Sequence, residues 1–174
     1  MYFIGASTLF PWLAYITAVD YFEEMYPGQR IEFYFPVCYN VPLLTTSLLM
    51  MLVPSRLSII HPCIAFSLLA LMILMGVEPL LDTLVSSTST LFTLQVGYRL
   101  TLATLFLIGV ATSVLQASIF GMAGRLGSEY TQVLAMGQGT AGIVIASIRI
   151  STKLLMTGPT NSNRLATTVY MMIA

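Results

Sequence analysis

The chain has 174 residues, of which 57% are hydrophobic and 8% charged, with seven basic and seven acidic side chains that cancel. A soluble domain carries about 25% charged residues, so a surface this apolar calls for lipid. The balanced charge removes the case for nucleic acid or another polyanionic partner. The length gives room for about five membrane spans of about 20 residues each.

The first apolar run predicts a span over 2–22, closed by Glu23, Glu24 and Pro27-Gly28. It is read as a span rather than a secretory leader, because it has neither a basic n-region nor a small-residue cleavage site. A second span is expected over 33–53, ending at Pro54-Ser55-Arg56, and a third over 57–81, with Glu78-Pro79 near its far end. The Ser- and Thr-rich stretch 82–93 reads as a loop. A fourth span follows over 98–123, then a turn through Arg125, Gly127, Ser128 and Glu129, then a fifth span over 130–155. Gly158-Pro159-Thr160-Asn161-Ser162-Asn163 breaks the helical pattern. Beyond it, 165–174 opens a partial sixth span that is too short to cross a core of about 30 Å.

The runs are continuous rather than alternating, which favours helices over a membrane β-barrel. The reading is one transmembrane domain over 1–174, without a soluble domain or linker. Charge does not fix its orientation. With a cytoplasmic N-terminus the inner loops carry Arg56 and Arg125, while the outer segments carry Arg30, Arg99, Lys153 and Arg164. That distribution runs against the positive-inside tendency. Cys38 and Cys63 fall near the starts of consecutive antiparallel spans, hence at opposite depths, and are expected as buried thiols rather than a disulfide.

Several polar or small residues stand where lipid or a protein core is expected. Thr8, Trp12, Tyr15 and Val19 share one face of the first span, and Pro11 removes a backbone hydrogen bond beside Trp12. A bulky aromatic at such a point suits stacking on a planar ring, and suits helix packing equally well. In the fourth span Gly109, Thr112, Ser113, Gln116 and Phe120 share a face. The Gln116 amide can read the edge of a polar ligand or tie two helices together, a role worth about 0.6–2 kcal/mol in membranes. In the fifth span Gly137, Gly139 and Gly142 are read as helix-packing positions. Arg149 lies on nearly the same face as Gln138 and needs a carboxylate, a carbonyl or water. Asp20 and Glu78 are its candidate partners in a gating or charge network.

Enzyme chemistry has little support. His61 is the only histidine, and no His, Cys and carboxylate cluster has metal-ligand spacing. Ser7 in Gly5-Ala6-Ser7 has no base near it in sequence. Gly137-Gln138-Gly139-Thr140-Ala141-Gly142 sits inside a span and follows no strand, which rules out a dinucleotide loop. No cofactor or metal is expected.

The ordered motifs point further. Pro11-Trp12 followed by Ile16-Thr17-Ala18-Val19-Asp20-Tyr21-Phe22 resembles the first-span signature of the equilibrative nucleoside transporter family. Gln116-Ala117-Ser118-Ile119-Phe120-Gly121-Met122-Ala123-Gly124 resembles its fourth-span signature. Tyr130-Thr131-Gln132, Gly137-Gln138-Gly139, Ala141-Gly142 and Arg149-Ile150-Ser151-Thr152-Lys153 extend the likeness through the fifth span.

That resemblance implies the N-terminal helical bundle of an all-α, major-facilitator-like carrier with a cytoplasmic N-terminus. It implies a central nucleoside site and, as the family default, the plasma membrane. By the same resemblance Trp12 lies near the base, Gln116 hydrogen-bonds the nucleoside, and Leu9, Ile16, Asn40 and Leu43 fall at other pocket positions. The family's ribose-contacting residues belong to its C-terminal half, so the partners implied are a nucleoside, the lipid bilayer, and a C-terminal helical bundle or a full-length carrier. The expected function is transport of nucleosides or nucleobases by alternating access, here by a truncated N-terminal portion. The alternative is a transport-inactive homologue that associates with a full-length carrier or has a structural role. Three positions depart from the family pattern: Leu13 stands where Asn is usual, Ala117 where Gly is common, and Gly127 where Pro is common.

Overall fold

A computed structural model describes residues 1–17, 19, 22, 23, 26, 28–52, 57–87 and 91–155. Asp20, the Glu78 side chain and the expected sixth span over 165–174 lie outside the described residues. Among the described residues the structure is all helical: α1 Tyr2–Thr17, α2 Ile31–Leu52, α3 Leu57–Ser87, α4 Leu91–Leu126 and α5 Ser128–Leu155. Three segments, Ile31–Leu52, Gln95–Leu126 and Ser128–Ser151, are long and apolar enough to cross a membrane, and α3 holds the shorter apolar stretch His61–Val77. The chain is an all-helical integral membrane bundle.

The expected loop over 82–93 is largely helix. Helix α3 continues to Ser87 and α4 begins at Leu91. Ser and Thr cost a helix only a few tenths of a kcal/mol each, while backbone near a membrane gains by bonding to itself. At 36 residues, α4 would be about 54 Å long at about 1.5 Å per residue. It therefore extends beyond the thickness of a bilayer core.

Helix α4 is the hub of the bundle. It packs against all four other helices, most extensively α2 and α3, while α1 packs most extensively on α5. The core of this arrangement comprises Tyr15, Ile31, Phe35, Leu105, Ile108, Leu115, Ile119, Leu134 and Ile145, all fully buried. The outer surface carries large apolar side chains such as Phe3, Met51, Leu52, Phe66, Met72 and Leu154. Such a rim is suited to lipid rather than water.

Close helix approaches rest on glycine, though not on all three expected ones. A Cβ on Gly137 would meet the carbonyl of Tyr2 and stand 3.2 Å from the Ala6 nitrogen. A Cβ on Gly5 would meet the carbonyl of Leu134. The α1–α5 contact is thus built from a glycine on each side. Gly109 does the same for α2 and α4, where a Cβ would stand 2.6 Å from the Tyr39 carbonyl oxygen. Gly139 and Gly142 face open space among the described residues. They are two and five residues beyond Gly137, so the helical period turns them away from α1. Among the described residues, Gly137 is the one of the three that makes a close helix approach.

The α4–α5 link is a single residue, Gly127, with φ of 132°. Proline is locked near about −65° and could not adopt this geometry. The Pro that the resemblance implies at this position would not allow this one-residue turn, which only glycine accommodates readily.

Candidate substrate-facing site

Trp12 lies near the middle of α1, immediately after Pro11. Its indole stacks on the ring of Tyr39 from α2, with centroids 4.4 Å apart and planes 12° from parallel. Tyr39 is buried, whereas Trp12 is half-buried. Below this pair, Tyr15 stacks on Phe22 at 5.7 Å and meets Phe35 edge-on at 6.4 Å. The α1 and α2 backbones do not pack closely among the described residues. Aromatic rings fill the space between them.

A polar seam runs along α2 and α4. The hydroxyls of Ser47 and Ser113 share a 2.9 Å hydrogen bond. The Tyr39 and Thr112 hydroxyls lie toward one another, yet both are buried without a hydrogen bond of good geometry. A further tie joins α5 to α1, where the Gln138 amide donates to the Thr8 hydroxyl at 3.0 Å. The Tyr2 hydroxyl donates to Thr140 at 2.7 Å across the same contact.

Gln116 sits on the hub helix, one turn beyond Thr112. It is half-buried and makes no hydrogen bond to the described residues. Leu9, Ile16 and Leu43 are half-buried, and Leu43 packs against the core cluster as Trp12 does. Asn40 faces away from Trp12. It is exposed, and its amide donates to the Pro36 carbonyl at 2.8 Å on its own helix. One residue is about 100° of helical rotation, so where Tyr39 points at Trp12, Asn40 does not. Arg149 is buried, at 7% exposure, and its candidate partners Asp20 and Glu78 lie outside the described side chains. Cys38 and Cys63 are free and half-buried rather than fully buried.

Sequence reasoning missed Tyr39, Ser47 and the pairing of Thr8 with Gln138. Tyr39 had a visible signal, an aromatic three residues before Pro42 in an apolar span. The hydroxyl pairings had none, since they depend on which helices become neighbours.

The nucleoside transporter family model matches residues 102–174, which include Gln116 and the whole of α5. Equilibrative nucleotide transporter 8 of Arabidopsis thaliana is 35% identical over 153 residues, covering 87% of this chain and 38% of that protein. The chain belongs to the equilibrative nucleoside transporter family. Equilibrative nucleotide transporter 1 of Arabidopsis thaliana is 28% identical, covering 98% of this chain and 37% of the relative. Equilibrative nucleoside transporter 4 of Homo sapiens is 31% identical over 175 residues, covering 100% of this chain and 31% of its own length. The chain therefore spans less than two-fifths of the length of these family members. No solved structure matches it.

Proposed function

We propose that the chain takes part in carrying nucleosides across a membrane by alternating access. The observation that carries this reading is Gln116, an amide on the central helix that is half-buried and uncommitted to any described residue. An amide in an apolar span is costly without a partner. In a family whose members include named nucleoside transporters, a ligand edge is a fitting one. Trp12 supplies an aromatic surface on α1, a helix in contact with α4.

In this reading Trp12 lies near the base, with Leu9, Ile16 and Leu43 forming apolar parts of the same wall. Asn40, exposed among the described residues, is proposed as a further pocket position. Arg149, together with Asp20 and Glu78, belongs to a charge network that biases opening and closing. The opposing half of the site belongs to a second, C-terminal helical bundle in a major-facilitator-like arrangement, or to a full-length carrier. Rocking between two such bundles about a midplane site gives alternating access. The plasma membrane is the proposed location. The chemistry is transport and not bond making or breaking.

Equilibrium binding of labelled adenosine and uridine to the purified protein in nanodiscs tests the site. Saturable binding that Gln116→Ala weakens by about tenfold, a loss of about 1.4 kcal/mol, supports the reading. Absence of saturable binding in the wild type favours the transport-inactive homologue instead.

A further inference from the structure

We infer that Tyr39 is a positioning residue for the ligand: it covers one face of the Trp12 indole and fixes the plane in which the other face meets a heteroaromatic base. This rests on the nucleoside reading of the site. The two rings are 4.4 Å apart and 12° from parallel, so one indole face is occupied by a protein ring. Trp12 nevertheless remains half-buried rather than buried. Its accessible part therefore lies on surfaces that Tyr39 does not cover.

Tyr39 is itself held firmly. It is 2% exposed, and its own backbone carbonyl is pressed against Gly109 of the hub helix. Pro42, one turn on, has its ring 3.0 Å from the position a Gly109 Cβ would take. Tyr39 is thus fixed to α4, while Trp12 is carried by α1. The α1 and α2 backbones do not pack closely among the described residues, so the ring stack is a contact that bears directly on the indole plane. A tryptophan on a helix has two free side-chain torsions, and a flat neighbour against one face restricts both. The gain to a ligand is preorganisation: the base meets a surface already in place and does not pay to order it.

The role belongs to the Tyr39 ring and not to its hydroxyl. That hydroxyl has no hydrogen bond of good geometry among the described residues, and phenylalanine can make the same stack. This separates positioning from a direct polar contact with the ligand.

Trp12 is the only tryptophan in the chain, so tryptophan spectroscopy reads this site alone. The test uses the full chain in nanodiscs as wild type, Tyr39→Phe, Tyr39→Leu and Tyr39→Met. Methionine fills volume without a ring, which guards against a leucine variant that does not fold. Before any nucleoside is added, Tyr39→Phe is expected to keep the wild-type near-ultraviolet tryptophan band. The ringless variants lose that band and become more open to acrylamide quenching, with helicity retained. With adenosine, the ringless variants are expected to bind about tenfold more weakly, and Tyr39→Phe to bind as the wild type. A wild-type tryptophan band in both ringless variants overturns the stacking regardless of ligand. Wild-type affinity in a ringless variant that has lost the band overturns the positioning role. If the wild type binds no nucleoside, the transport reading fails and this role with it, while the ligand-free spectra still report on the stack.

Discussion

The Gln138 amide of α5 donates to the Thr8 hydroxyl of α1 at 3.0 Å, while that hydroxyl donates to the Gly5 carbonyl at 2.7 Å. One buried oxygen is thereby both donor and acceptor. This relay lies beside the two glycine contacts of the same helix pair, Gly5 on Leu134 and Gly137 on Tyr2. Close backbone approach and polar pairing reinforce one another there. A Cβ at either glycine would hold the helices apart and lengthen the Gln138–Thr8 bond. Thr8→Val keeps the shape and removes both bonds, so it is expected to lower stability by about 0.6–2 kcal/mol. Gln138→Leu is expected to cost a similar amount. The double variant should cost less than the sum of the two, measured as thermal unfolding in detergent. Strict additivity would mean that the bond carries no coupling.

The glycines of α5 separate by position. Gly137→Ala forces a methyl group onto the Tyr2 carbonyl and is expected to destabilise by about 1–3 kcal/mol. Gly139→Ala meets nothing within 4 Å and is expected to be neutral, or stabilising by up to about 1 kcal/mol through helix propensity. Melting temperatures of the two variants check this. Equal losses would show that Gly139 has a neighbour it lacks among the described residues.

Tyr39→Phe is expected to leave stability unchanged or raise it. The hydroxyl is buried and has no hydrogen bond of good geometry, and burying such a group costs about 1–3 kcal/mol. Removing it relieves that cost and retains the stack on Trp12. A clear drop in the unfolding midpoint would show that Thr112 pairs with it after all.

The Ser47–Ser113 bond at 2.9 Å is a direct polar tie between α2 and α4. Ser113→Ala leaves the Ser47 hydroxyl its bond to the Leu43 carbonyl at 2.7 Å. The expected loss is therefore small, about 0.5 kcal/mol. Ser113→Val should cost more, because Ser113 is fully buried and extra methyl groups overpack the seam. A thermal shift series over Ser, Ala and Val at this position reads both effects.

Much of the architecture was legible because a bilayer imposes it. Long apolar runs must form helices, and the starts of α2, α3 and α5 fall within two residues of expectation. The loop expected over 82–93 failed because Ser and Thr signal a turn only where water competes for the backbone. Trp12 and Gln116 stood out as polar or aromatic groups in apolar helices, and both are half-buried on contacting helices. Tyr39 was missed because a polar residue in a span, Asn40, attracts the eye, whereas its neighbour on the helix wheel makes the contact with Trp12. One residue of rotation decides which of the two faces α1. The glycine pattern had the same limit. Spacing identifies a stripe of small residues, but only the partner helix selects Gly137 from it.

The central claim is that a nucleoside passes through a site to which Trp12 and Gln116 contribute. Liposomes reconstituted with the purified protein and given labelled uridine test it most directly. The expected result is saturable uptake, accelerated when the lumen is preloaded with unlabelled uridine, and abolished in a well-folded Gln116→Ala variant. Uptake that stays linear at the level of empty liposomes, with no acceleration by preloading, would contradict the claim.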